Sequence, residues 1–325
     1  MLFTGDQSGR PIFSAEETWK FMKDNSINIF HSPWWTKTYS CIRGIFSPKF
    51  SVKSLERVLQ GYLSRDGRPL TLRDTMRPVL VPCFDITRSA VFLFSRLAAL
   101  EHERWNFNLW EVLRASSAAP GLFRPHFLKS VDGSTEVTAI DGALVMNNPT
   151  SAAIAHVMNN KEEFPHCTGA RDMLILSIGT GQFGVVHPFA KVRKWGAVQW
   201  TKPVLKIITD GISGIVDQTV SLAFPKDVKN QYLRLQVSDL PKSAFDRSSD
   251  PSLENIMTLT ALADRLLKQK GLYFEAFGPP VELEQTNEER LDLFVDALIR
   301  EHESRKGRLE QTVSIRRTDS FNPAT

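Results

Sequence analysis

No window of this 325-residue chain stays apolar over the length of a bilayer-spanning helix, which excludes a transmembrane anchor within it. A disulfide scaffold is excluded too, because the three cysteines, Cys41, Cys83 and Cys167, are odd in number and irregularly spaced. They read as free thiols of a reducing, cytoplasmic compartment, packed as small hydrophobes. His, Cys and carboxylate residues nowhere cluster with ligand spacing, so neither a metal nor another cofactor is expected. A formal net charge of only +4 and the lack of a recognition motif argue against nucleic acid as a partner. Met1-Leu2-Phe3-Thr4-Gly5 is too short for a signal peptide, although a segment upstream of Met1 would leave room for a targeting sequence. The most consequential absence concerns serine. No serine has glycine both two places before and two places after it: Ser8 follows Asp6, Ser213 has Gly211 before but Ile215 after, and Ser177 has Gly179 after but Ile175 before. No G-x-S-x-G elbow is present, so the chain supplies no elbow nucleophile, and no glycine-rich run near its start could form an oxyanion loop.

What is present reads as an α/β protein. Hydrophobic residues make up 42% of the chain, enough for a sizeable core. Short apolar or alternating runs at Val79 to Phe84, Ala90 to Phe94, Val137 to Ile140, Met173 to Ile178 and Tyr232 to Val237 predict strands. Helical spacing or capping marks Ser14 to Met22, Val52 to Leu63, Leu109 to Ser116 and Thr150 to Met158. Strands alternating with helices predict a mainly parallel sheet covered by helices on both faces. That domain is expected over residues 1–239, with a helical extension over 240–302 from the windows Asp250 to Gln269 and Asn287 to Glu303. Residues 303–325 are polar and aperiodic, which predicts disorder.

The run Ile140-Asp141-Gly142-Ala143-Leu144-Val145-Met146-Asn147-Asn148-Pro149 sets one carboxylate in a constrained backbone. An apolar approach ends at Asp141, and Gly142 lets the main chain turn sharply or come close to another backbone. Asn147 and Asn148 can lock the following loop through their own backbone, and Pro149 suits the first turn of the next helix. On spacing alone, Asp141 is equally a capping or turn aspartate.

Asp141-Gly142-Ala143 with Asn147-Asn148-Pro149 resembles the aspartate motif of the patatin-like lipid acyl hydrolases. Ala115-Ser116-Ser117-Ala118-Ala119-Pro120 with Phe123-Arg124-Pro125-His126, Leu176-Ser177-Ile178-Gly179-Thr180-Gly181, Arg77 to Asp85 and Phe92 to Ser95 resemble further family stretches in the same order. The resemblance covers most of residues 1–239 and is nearest to the plant patatin-related phospholipases A. It implies a three-layer αβα fold and hydrolysis of fatty acyl esters of phospholipids or galactolipids by a serine and aspartate dyad. Of that dyad only the general base carries over, at Asp141. Met1 to Thr4 and Arg10 to Glu17 resemble the segment just after the elbow helix, particularly in a subgroup with glycine at the nucleophile position. The resemblance therefore implies a chain lacking the leading strands, oxyanion loop and elbow, catalytically deficient and poorly stable alone. The alternative is a non-catalytic lipid-binding or regulatory fragment.

Other features have simpler readings. Gly179-Thr180-Gly181-Gln182-Phe183-Gly184 satisfies G-x-G-x-x-G, but Pro188 falls where a helix should run and no acidic residue follows at the ribose-contact distance, so a structural glycine turn is preferred. His126 has no elbow serine to activate and reads as the end of a packed loop, and Ser116 and Ser117 read as a helix end. Residues 20–77 hold eleven Lys or Arg against four Asp or Glu, with Phe30, Trp34, Trp35, Phe46 and Phe50. That mixture fits peripheral contact with a membrane of lipid substrate, or equally a solvated basic face over buried aromatics. Between Lys191 and Phe224, Val204, Ile207, Ile208 and Ile212 have amphipathic spacing, for which core packing is the commoner cause.

Overall fold

The computed structural model describes residues 4–5, 11–30, 48–182, 188–224, 231–238, 240, 247, 249–274 and 280–319. In chain order the elements are α1 (Ala15–Ile29), α2 (Val52–Tyr62), β1 (Ser64–Arg65), β2 (Arg68–Pro69), β3 (Leu80–Asp85), β4 (Ala90–Ser95), α3 (Arg96–Glu101), α4 (Leu109–Ser116), β5 (His126–Lys129) and β6 (Glu136–Asp141). There follow α5 (Ala143–Met146), α6 (Thr150–Asn159), β7 (Ile175–Ile178), α7 (Phe189–Val192), α8 (Ala197–Ala223), β8 (Tyr232–Leu235), α9 (Leu253–Lys268), β9 (Lys270–Phe274), β10 (Pro280–Thr286) and α10 (Asn287–Asp319). The α/β class expected from the sequence is what the chain adopts. Its residues group into two compact units, one of Met1–Ala155, Phe183–Val216 and Leu240–Thr260, the other of His156–Gln182, Asp217–Asp239 and Ala261–Thr325.

The first unit is built on a four-stranded sheet of order β4-β3-β6-β5. All three pairings in it are antiparallel, which corrects the expectation of mainly parallel strands; among the described residues only β7 and β8 pair in parallel. The reason lies in the connections. Residues 86–89 join β3 to β4 and residues 130–135 join β5 to β6, whereas a parallel crossover needs a dozen residues or more. Asp85 closes the first hairpin from a buried position: its carboxylate accepts the Thr87 N–H at 3.0 Å and pairs with Arg88 at 2.6 Å. Helix α2 lays Leu55 and Leu59, with Leu63 at its C-cap, into a core shared with Phe94, Phe107, Val112, Leu128 and Val137. Each such buried Leu or Phe contributes about 1.5–3 kcal/mol relative to exposure. Arg114 of α4 is also inside this core, held by Glu56 of α2 at 3.5 Å and by the Arg124 carbonyl at 2.7 Å. Ser14 opens α1 with a capping box, its hydroxyl accepting the Glu17 N–H while the Glu17 carboxylate accepts the Ser14 N–H.

The second unit pairs β7 with β8 and β9 with β10. Leu233 and Leu235 pack with Phe294 of α10, beside Leu174, Leu266 and Leu291. Behind β8 the buried Asp217 carboxylate accepts the Tyr232 hydroxyl at 3.1 Å and pairs with Arg234 at 3.2 Å. Burial and that carboxylate push the Tyr232 phenol well above its ordinary range. Helix α10 runs on to Asp319, so residues 303–319 are helical where an aperiodic polar sequence predicted disorder. Strong helix formers such as Glu301, Glu303 and Arg305 continue the preceding turns, with Arg305 bonded to Glu301 at 2.7 Å. Residues 320–325 lie outside the described residues.

Candidate active site

Asp141 is the last residue of β6, opposite Cys83 of β3. Its N–H donates to the Ala118 carbonyl at 3.1 Å, which ties the strand end to the small-residue run after α4. Ala115 and Ala118 are fully buried there, so a larger side chain at either would push that run off the sheet. One carboxylate oxygen of Asp141 accepts the Ala143 N–H at 2.8 Å, an aspartate turn closing on its own backbone. Among the described residues no other hydrogen bond reaches the carboxylate, which leaves its second oxygen for a proton. Burial raises the Asp141 pKa above the ordinary carboxylate value, and the Ala143 N–H opposes the rise. A half-buried carboxylate of raised affinity for protons suits a general base better than a fully solvated one does.

Gly142 explains why the motif needs glycine. Its backbone is right-handed helical, φ −65° and ψ −23°, so no left-handed turn is involved. Close approach decides instead: a Cβ at this position would lie 2.4 Å from the Pro82 carbonyl oxygen. The same carbonyl accepts the Ser116 hydroxyl at 2.8 Å, and the Ser117 hydroxyl donates to the Leu113 carbonyl at 2.7 Å. Both serine hydroxyls are thus engaged as donors to backbone carbonyls. Past Gly142, Ala143 begins the single turn of α5, and Asn147 is its exposed C-cap. Asn148 is buried and its amide oxygen accepts the Thr150 hydroxyl at 2.6 Å and the Thr150 N–H at 3.3 Å, the loop lock expected of it. Pro149 stands one residue ahead of the expected first turn, with its carbonyl accepting the Ala153 N–H of α6.

Two neighbours remain, Cys83, which the sequence offers only as a free thiol, and His126, weighed there as a base and set aside. Cys83, facing Asp141 across the sheet, is fully buried, and burial with the nearby Asp85 pushes its thiol up to about 12. It is a packing residue. His126 begins edge strand β5 rather than ending a loop, stacked edge-on against Trp110. Burial and the Arg114 charge hold its pKa down near about 4, so it is a neutral imidazole at ordinary pH.

The rival sites resolve locally. Gly179 is pressed against Gln236, whose side-chain oxygen accepts the Gly181 N–H at 3.3 Å, and Gly181 has φ 99°, a region that favours glycine. Phe183 and Gly184 of that motif lie outside the described residues. No group of three His, Cys, Asp or Glu residues is placed to hold a metal among the described residues. Phe30 and Phe50 stack on each other and on Phe123, so they serve the core rather than a surface, while Trp34, Trp35 and Phe46 lie outside the described residues. Among the described residues no helix is long and apolar enough to cross a membrane.

A family model of patatin-like phospholipase matches residues 2–154, the stretch that contains Asp141 and its neighbours. The chain is 40% identical to patatin-like protein 6 of Arabidopsis thaliana over 98% of its own length and 64% of that relative's. It is 38% identical to patatin-like protein 7 of the same plant, again over 98% of itself and 64% of the relative. The chain thus spans about 64% of the length of these curated relatives. A protein named probable inactive patatin-like protein 9, also of Arabidopsis thaliana, is 38% identical over 92% of this chain and 72% of its own length. Identity at that level over nearly the whole chain, converging on a motif whose glycine the backbone of Pro82 requires, makes this chain a member of the patatin-like phospholipase family.

Proposed function

We propose that this protein belongs to the machinery of lipid acyl-ester hydrolysis, on phospholipids or galactolipids, with Asp141 as the general base. The single observation that carries the reading is the Asp141 carboxylate itself: fixed at a strand end, bonded through one oxygen to Ala143 and raised in pKa by burial. In such a reaction the base takes the proton of an attacking hydroxyl and returns it to the departing alcohol as the ester C–O bond breaks, leaving the acyl group on that oxygen until water hydrolyses it to the acid. The elbow hydroxyl is not among this chain's serines, so the chain alone is expected to be catalytically deficient. Supplied to p-nitrophenyl esters, the chain should show no turnover above background. Turnover that vanishes in Asp141→Ala would sink the deficiency and keep the base; turnover unaffected by that change would sink the base.

A second reading is a non-catalytic lipid-binding or regulatory protein of the same family. It is favoured by the absence of an elbow serine together with the relative named probable inactive. Lipid binding without hydrolysis, unchanged in Asp141→Ala, is its expected signature.

A further inference from the structure

Helix α8 is partly inverted with respect to a core-packed helix. Ser213 faces inward, 1% exposed, whereas Val204, Ile207, Ile208 and Ile215 are 40%, 54%, 46% and 65% exposed. Val204, Ile208 and Ile215, spaced by four and seven residues, fall on one stripe. The expectation that this spacing reflects core packing therefore fails for Val204, Ile207 and Ile208. Ahead of the stripe, Val198 and Phe189 are exposed at 85% and 79%. Helix α7 carries exposed Lys191 and the turn after it exposed Arg193 and Lys194, and no Asp or Glu occurs from Pro188 to Thr209. Lys206, within the helix, is matched by Asp210 at 2.7 Å. Trp195 and Trp200 stand edge to face at 5.1 Å, both half-buried.

We infer that residues 188–216 form a docking surface for an anionic lipid bilayer, with Lys191, Arg193 and Lys194 at the headgroups and the Val204, Ile208 and Ile215 stripe entering the acyl boundary. An apolar stripe bordered by cations and tryptophan is the composition that lies in the plane of a membrane interface. Charge selects the occupant. A second copy of the chain meeting this patch about a twofold axis would bring six cations into one interface, with no acidic residue from Pro188 to Thr209 to pair them, whereas an anionic leaflet attracts them. Nucleic acid would match the cations but leave the aliphatic stripe without a counterpart. The surface is separate in sequence from the basic segment of residues 20–77, and it does not depend on Asp141 acting as a base.

The test is flotation of the full chain with vesicles of phosphatidylcholine alone and of phosphatidylcholine with about one-third phosphatidylserine. Recovery should rise with the anionic lipid and fall with added salt. Since each cation at such a surface contributes on the order of fivefold in binding, the triple change Lys191→Glu, Arg193→Glu, Lys194→Glu should lower it by more than about tenfold. Ile208→Ser with Ile215→Ser should lower it without altering the charge, while Lys53→Glu with Arg57→Glu, on exposed positions of α2, should leave it unchanged. Circular dichroism of each variant separates lost binding from lost folding. Equal recovery from both vesicle types, equal loss in the α2 control, or a dimer in sedimentation that the Ile208→Ser, Ile215→Ser pair dissolves would each overturn the assignment.

Discussion

Gly142 and Asp141 have opposite relations to stability. A methyl group at Gly142 meets the backbone oxygen of Pro82 at 2.4 Å, and a carbonyl in the middle of β3 cannot move aside as a flexible side chain could. Gly142→Ala should therefore destabilise the first unit by about 1–3 kcal/mol, the usual cost of overpacking, read as a lower midpoint in urea. Asp141 carries the reverse signature. Because burial raises its pKa, the folded protein holds that proton more tightly than the unfolded chain does. Stability then falls as pH rises from the ordinary carboxylate value through the raised one. Asp141→Asn keeps an acceptor for the Ala143 N–H and removes the buried charge. Its melting temperature should exceed the parent's at neutral pH, and the gain should disappear in acid. A pH-independent difference would show that the carboxylate is not strained by its site. Asp141, Gly142 and Asn148 were legible as a unit because each residue type has a local backbone reason, whereas Pro82 and Ala118, which fix them, are distant in sequence and carry no chemical signal.

At the level of elements, boundaries were legible wherever a cap or an apolar period was local. Leu109–Ser116 is helical over the range its sequence predicts, and Ser14 caps α1 with Glu17 as its type and spacing suggest. Strand β5 escaped notice because His126 follows Phe123-Arg124-Pro125, and β9 and β10 because Gly271 and the alternating Glu282 and Glu284 obscure an apolar face. Helices α2 and α4 are joined by a contact no pattern announces, Glu56 with the buried Arg114. Glu56→Gln leaves that guanidinium buried beside a neutral partner and should cost about 1–3 kcal/mol by chemical denaturation. Replacing both, Arg114→Met with Glu56→Leu, should recover most of the loss, since removing a buried pair together avoids an uncompensated charge. Recovery absent from the double variant would locate the role of Arg114 in its bond to the Arg124 carbonyl instead.

For the whole molecule, the proposed base and the proposed membrane surface rest on different residues of the first unit and so can be tested separately. Asp141→Asn should leave flotation untouched, and the Lys191, Arg193, Lys194 reversal should leave the Asp141-dependent pH behaviour untouched; coupling between them would mean that one change disturbs the fold. The sequence by itself determined the α/β class, the strands β3, β4, β6, β7 and β8, the family motif around Asp141 and the absence of an elbow serine, because periodicity, capping and motif order are properties of neighbouring residues. The antiparallel pairing of β3 with β4 already follows from a link, residues 86–89, too short for a crossover, whereas β5 was not legible and the pairing of β3 with the distant β6 is settled only in the tertiary structure. Nor could spacing tell which side of α8 faces solvent: an amphipathic period is the same whether its apolar face turns inward or outward. That choice belongs to the tertiary structure, which buries Ser213, leaves Ile208 and Ile215 exposed, and brings the Pro82 carbonyl against Gly142 across the sheet.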